Sequence, residues 1–123
     1  MNITPIEEIM NFVIVCGGRD YTNRTRLIKV LDDLFEARDV LVSGGAEGAD
    51  RLGEEWAWSR ERPFIVVPAR WKEHGKKAGP IRNKQMLLMW RPRLVIAFPG
   101  GKGTGNMVKQ AKEFFLPPEI FLA

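Results

Sequence analysis

Cysteine and histidine are almost missing from this sequence: Cys16 and His74 are the single examples of each in 123 residues. A lone thiol excludes a disulfide within the chain, and one thiol with one imidazole excludes a structural zinc site. No metal and no resident cofactor is expected. Staples are also unnecessary, because a chain of this length buries roughly two thirds of its unfolded surface. The scarcity of thiols fits a reducing, cytoplasmic compartment. No uninterrupted apolar run approaches the ~18 residues that cross a bilayer, so no membrane span is expected. Residues 1–10 carry Glu7 and Glu8 but no basic group ahead of their apolar positions, the wrong charge order for a secretory signal. They read as a loose lead-in. Two phosphate motifs are missing as well. There is no G-x-x-x-x-G-K-[ST] run, which excludes a Mg-nucleoside triphosphatase, and no G-x-G-x-x-G after the first apolar run, which excludes a typical dinucleotide oxidoreductase.

What is present describes one soluble globular domain over residues 11–123, with 45% hydrophobic and 28% charged residues. The net charge of +4 suits an anionic ligand, although it is too small to imply nucleic acid by itself. Five short runs rich in Val, Ile, Phe and Leu predict strands at Phe12 to Cys16, Val40 to Ser43, Phe64 to Val67, Leu94 to Phe98 and Ile120 to Leu122. Their near-continuous apolar character belongs to a parallel sheet covered on both faces. Between them lie stripes of helical period: Leu27, Val30, Leu31, Leu34 and Phe35; Leu52, Trp56 and Ala57; Met86, Leu87, Met89 and Trp90; Val108, Ala111 and Phe115. Alternating strands and helices predict an α/β, Rossmann-like doubly wound sheet of about five mostly parallel strands with helices on both faces. Strand 4 should neighbour strand 1, and the loops at their carboxyl ends should border the switch-point crevice where ligands bind in such sheets.

Glycine-rich loops follow strands 1, 2 and 4: Gly17-Gly18-Arg19-Asp20, Ser43-Gly44-Gly45-Ala46-Glu47-Gly48-Ala49-Asp50, and Pro99-Gly100-Gly101-Lys102-Gly103-Thr104. Glycine lets a ligand approach the main chain, and a following helix offers unpaired N–H groups and the positive end of its dipole. Phosphate is the natural occupant. Thr104 is placed to cap the fourth helix or to donate its hydroxyl to a phosphate oxygen. The stretch from Pro68 to Asn83 reads as a long basic loop with one aromatic, Trp71, and loops over ~12 residues are usually functional. Arg82 is expected in the first turn of the third helix, where a cation opposes the dipole unless an anion lies nearby.

These motifs together resemble the YspA-like branch of the SLOG superfamily, which groups the DNA-processing protein Smf/DprA with the LOG phosphoribohydrolases. Gly17-Gly18-Arg19 is similar to the Gly-Ser-Arg of the DprA branch, and Ser43 to Asp50 to its Ser-Gly-x-Ala-x-Gly-x-Asp. Pro80-Ile81-Arg82-Asn83-Lys84 resembles Pro-x-Arg-Asn-Arg, and Arg82 with Met86 also matches the Arg-Lys-x-x-Met helix of LOG enzymes. Pro99 to Thr104 matches the LOG motif Pro-Gly-Gly-x-Gly-Thr. The resemblance implies a Rossmann-like domain for a nucleotide or nucleotide-derived ligand. It breaks at one position: the LOG glutamate three residues after the threonine is replaced by Met107, preceded by Asn106. N-glycosidic cleavage develops cationic character at the sugar, which a carboxylate stabilises and a thioether does not.

The favoured reading is therefore binding or sensing of a small phosphorylated nucleotide-derived ligand. Its expected contacts are Gly17, Gly18, Arg19, Ser43, Gly44, Gly45, Asp50, Arg82, Asn83, Gly100, Gly101, Gly103 and Thr104. Ser43 and Asp50 are set for a ribose, with bracing of its own turn as the other role of Asp50. Trp71 either stacks on a base or packs its loop onto the body. A LOG-like nucleotide N-glycosidase is the alternative, with Arg82, Glu47 and Asp50 as candidate catalytic residues. DprA-like binding of single-stranded nucleic acid is the third and less favoured reading, because Trp56, Trp58 and Trp90 fall in predicted helices and core packing. Cys16 beside the crevice reads as a small hydrophobe. The Met- and Trp-rich third helix suits pairing into a homodimer or higher homo-oligomer, or simple core filling.

Overall fold

The structure, a computed structural model, describes residues 10–123. The expected lead-in, Met10 apart, lies outside the described residues. The strands are β1 (Asn11–Cys16), β2 (Asp39–Ser43), β3 (Phe64–Val66), β4 (Leu94–Ala97) and β5 (Glu119–Leu122). The helices are α1 (Arg24–Leu34), α2 (Ala49–Ser59), a single turn α3 (Trp71–His74), α4 (Ala78–Trp90) and α5 (Lys102–Glu113). All strand pairings are parallel and the order is β3-β2-β1-β4-β5. The chain grows outward from β1 to β3, then crosses to β4 on the other side of β1, which makes the β1/β4 boundary the switch point.

The strands alternate their side chains between two cores. Val13, Val15, Leu41, Leu94 and Ile96 pack with Leu27, Val30 and Leu31 of α1 and Trp56 and Ala57 of α2. Ile14, Val42 and Val95 face the other way, onto Met86 and Leu87 of α4 and Met107 and Ala111 of α5. Both faces of the central strands are thus covered, which is why their sequences read as unbroken apolar runs. At the amino ends of the strands, opposite the glycine loops, buried Asp39 receives Arg93 Nε at 2.9 Å and a second Arg93 N–H. The Glu36 amide also donates to Asp39, at 2.7 Å. The pair ties the start of β2 to the start of β4 across β1. Burial works to raise the Asp39 pKa, but the Arg93 and Glu36 hydrogen bonds and the Arg93 charge outweigh it and leave it below its ordinary value.

Several sequence expectations shift. The stretch from Pro68 to Asn83 is not one long loop, because α3 and a 3-10 turn (Gly75–Lys77) lead directly into α4 at Ala78. Arg82 consequently sits in the second turn of α4 rather than the first. Helix α5 starts earlier than a Thr104 cap requires: Gly101 is its N-cap and Thr104 its third residue. Three apolar side chains assigned to helical cores are exposed instead: Trp58 on α2, Met89 on α4, and Phe115, which lies beyond the end of α5.

Candidate functional site

The three glycine loops converge on a cleft of about 810 Å³ at the carboxyl ends of β1 and β4. Main-chain hydrogen bonds stitch them together. The Gly18 amide donates to the Pro99 carbonyl at 2.9 Å, joining the loops after β1 and β4, while the Ala49 amide donates to the Gly18 carbonyl at 3.1 Å, joining the loops after β1 and β2. The approach is too close for side chains at several positions, Gly18 and Gly48 among them. A Cβ on Gly18 would lie 2.9 Å from the Pro99 carbonyl oxygen, and one on Gly48, which has φ +74°, would run into the Gly18 carbonyl. Around Gly101 and Gly103, by contrast, a Cβ would meet nothing within 4 Å, so the main chain there fronts open space.

That open main chain is the first turn of α5. Helical bonding begins with the Gly105 amide donating to Gly101 at 3.0 Å, and no side chain caps the helix. The amides of Lys102, Gly103 and Thr104 therefore have no partner among the described residues and supply the positive end of the helix dipole to the cleft.

Arg82 reaches the same cleft from α4. Its Nη1 donates to the Gly44 carbonyl at 2.7 Å and the Val67 carbonyl at 3.3 Å, and its Nε to Asn83 Oδ1 at 2.9 Å. These partners are neutral; among the described residues no carboxylate lies within ion-pair distance of Arg82. Burial pulls the Arg82 pKa down, opposed in part by the charge of Asp50. Asp50, in the first turn of α2, is 5% exposed and accepts the Ala46 amide at 3.1 Å. Burial pushes its pKa up to about 6, with Glu54 adding to the rise and hydrogen bonds and Arg82 opposing it. Cys16, at the end of β1, is pushed up to about 12, first by burial and then by Asp50, so its thiol stays protonated and unreactive. Over the cleft, the Arg19 guanidinium lies 5.8 Å from the centre of the half-exposed Trp71 ring. Among the described residues no three of His, Cys, Asp and Glu converge as metal ligands, and no helix is long and apolar enough to cross a membrane.

The cleft wall brings together Gly17, Gly18, Arg19, Asp50, Arg82, Asn83, Gly100, Gly101, Gly103 and Thr104, ten of the positions nominated from sequence. Ser43, Gly44, Gly45 and Glu47 are not on it. The Ser43 hydroxyl is fully buried, donates to Glu54 Oε2 at 2.6 Å and accepts the Gly45 amide at 3.1 Å, so it braces the turn. Gly44 contributes its carbonyl to Arg82, Gly45 turns the chain at φ +74°, and Glu47 is exposed away from the wall. Tyr21, Thr22 and Lys102 also line the cleft and were not nominated. Tyr21 and Thr22 continue the Gly-Gly-Arg loop, and their place directly after it was the available signal. Met107, at the cleft floor, is 1% exposed and packed in the core with Met86, Leu87 and Val95.

Residues 12–74, which carry the loops after β1 and β2, match the YspA, cpYpsA-related SLOG family. The chain is 36% identical over 118 residues to the Gene 61 protein of Mycobacterium phage D29, covering 88% of this chain and 94% of that protein. Its fold is similar to that of DNA processing protein A (DprA) from Streptococcus pneumoniae, with a TM-score of 0.74 at 20% identity over 95% of this chain. The chain spans about half of that solved chain, 51% of its length. The ordered loops, the strand order and these matches agree: the chain belongs to the YspA, cpYpsA-related SLOG family.

Proposed function

We propose that residues 11–123 form one binding unit and that the cleft takes a small phosphorylated, nucleotide-derived ligand. The observation that carries this reading is the pairing of two positive features on one cleft: the free first-turn amides of α5, and a half-buried Arg82 whose hydrogen-bond partners are all neutral, with Asp50 acting on it only from beyond ion-pair distance. A half-buried guanidinium with no directly bonded counter-charge is unfavourable, and a phosphate between it and the helix end offsets that penalty with charge-assisted hydrogen bonds. Arg19 and Trp71 supply a cation and an aromatic face at the mouth, suited to a second anionic group and a base. The lone thiol agrees with a cytoplasmic setting. Calorimetry with nucleoside monophosphates, ADP-ribose and cyclic dinucleotides tests the reading. Binding by at least one, weakened about tenfold or more in Arg82→Ala, is expected, and no binding to any of them overturns it.

One observation favours a second reading, an N-glycosidase. With Met107 in the core, Asp50 is the carboxyl on the wall whose charge acts on Arg82, while Glu47 is off the wall. Incubation with nucleoside 5′-monophosphates should then release free base and ribose 5-phosphate, and Asp50→Asn should abolish the release. The DprA-like fold also keeps single-stranded nucleic acid as a partner to test; its mark is oligonucleotide binding that weakens steeply with salt. Pairing of copies would draw on Leu88 and Met89, which α4 leaves exposed.

A further inference from the structure

Asn83, an expected ligand contact on the cleft wall, is only 3% exposed, and its side chain makes three hydrogen bonds within the protein. Its Oδ1 accepts Arg82 Nε at 2.9 Å. Its Nδ2 donates to the Gly103 carbonyl in the first turn of α5 at 3.3 Å and to Asn106 Oδ1, one turn further, at 3.1 Å. Asn106 is itself fixed, since the same Oδ1 accepts Gln110 Nε2 at 2.7 Å, and Gln110 reaches back to the Pro80 carbonyl of α4 at 2.9 Å. The result is a closed polar seam running from Arg82 through Asn83, Asn106 and Gln110 to Pro80. An amide is the group this seam needs at position 83, because it must accept on one side and donate on the other. With both amide hydrogens of the buried Asn83 bonded to α5 and its oxygen bonded to Arg82, the network holds the geometry of that residue tightly.

We propose that Asn83 is a positioning residue: it does not touch the ligand but holds the Arg82 guanidinium in register with the first turn of α5, so that one anion is met by both. This rests on the phosphate reading above. It also makes the seam a determinant of specificity, because the separation of the two positive features is set by an almost wholly buried side chain bonded to both.

The test uses the full chain with inorganic pyrophosphate as the probe, followed by amide and arginine Nε–H NMR. Wild type, Asn83→Leu, Arg82→Gln and the double variant are compared. Asn83→Leu and Arg82→Gln should each weaken pyrophosphate binding about tenfold, the loss expected when a charge-assisted contact is misaligned. The double variant should bind no worse than Arg82→Gln alone, because Asn83 acts through Arg82. In the free protein, exchange of the Arg82 Nε–H with water should quicken in Asn83→Leu, a change that loss of packing elsewhere would not produce. Should Asn83→Leu fail to fold, Asn106→Ala removes one of the two acceptors of Asn83 and should still weaken binding severalfold and quicken that exchange. Wild-type affinity in whichever variant folds, or losses that multiply in the double variant, would overturn the role while leaving the phosphate reading intact. A wild-type chain that takes no pyrophosphate overturns both.

Discussion

Replacing Gly48 with alanine should damage the fold and the cleft together, because this glycine lies where two loops meet. Its φ of +74° is a conformation that side-chain-bearing residues avoid, worth about 1–3 kcal/mol. The added Cβ would lie 2.6 Å from the Arg19 carbonyl carbon and against the Gly18 carbonyl, both main chain, so relief requires backbone movement costing about 1–3 kcal/mol. That movement stretches the 3.1 Å bond from the Ala49 amide to Gly18, for about 1 kcal/mol more. Alanine returns about 0.4–1 kcal/mol by restricting the unfolded chain. The net destabilisation is about 2–7 kcal/mol. In urea unfolding, with m of about 1–3 kcal/mol per molar, the midpoint should fall by at least about 0.7 M with m unchanged. Because Gly18 also holds Pro99, nucleotide binding should weaken in the fraction that remains folded. A midpoint within about 0.3 M of wild type would refute the claim that the loops are locked together at Gly48.

Gly103→Ala is the opposite case: the Cβ meets nothing in the chain, so the free protein should gain about 0.5–1 kcal/mol from helix propensity while the ligand loses its approach to α5, seen as a higher urea midpoint and weaker nucleotide binding. The Asp39–Arg93 pair predicts acid sensitivity. The folded pKa of Asp39 lies below its unfolded value of 3.8, so its stabilisation is fully present above 3.8 and is lost as pH falls through the folded value. Asp39→Asn should flatten that acid limb in a series of unfolding curves, and an unchanged limb would count against the pair. Asp50 acts with the other sign: its folded pKa of about 6 lies above 3.8, so stability declines as pH rises from 3.8 to about 6 and the penalty is complete above that. At pH 7.5 Asp50→Asn should therefore be more stable than wild type, by on the order of 3 kcal/mol, with the gain gone below pH 4.

The fold was legible because the central strands are buried on both faces and are followed by turn signals. The unbroken runs around Val13 to Val15 and Leu94 to Ile96 left little choice of class. Glycine loops marked the switch point for the same reason they build it, close main-chain approach. Side-chain assignments fared unevenly. Thr104 resembled a cap by residue type, but Gly101 ends the turn two residues before Gly103 and the helix starts there. Ser43 had a ribose-binding look, yet it points to Glu54 on α2, a partner eleven residues away that spacing alone did not single out. The periodicity that placed Trp58 and Met89 in cores counted apolar residues without knowing which face each helix turns to the sheet. Arg82 and Asn83 stand out by their motif, but the bonds that tie Asn83 to Arg82 on one side and to α5 on the other appear only when α4 and α5 are packed side by side.

The central claim is that an anion sits between the first turn of α5 and Arg82, and an amide NMR titration with ADP-ribose tests it most directly. The account predicts that the largest shifts fall on the amides of Lys102, Gly103 and Thr104 and on the Arg82 Nε–H, in one saturable process that Arg82→Ala weakens. Saturable shifts centred elsewhere, with those four signals unmoved, would contradict it.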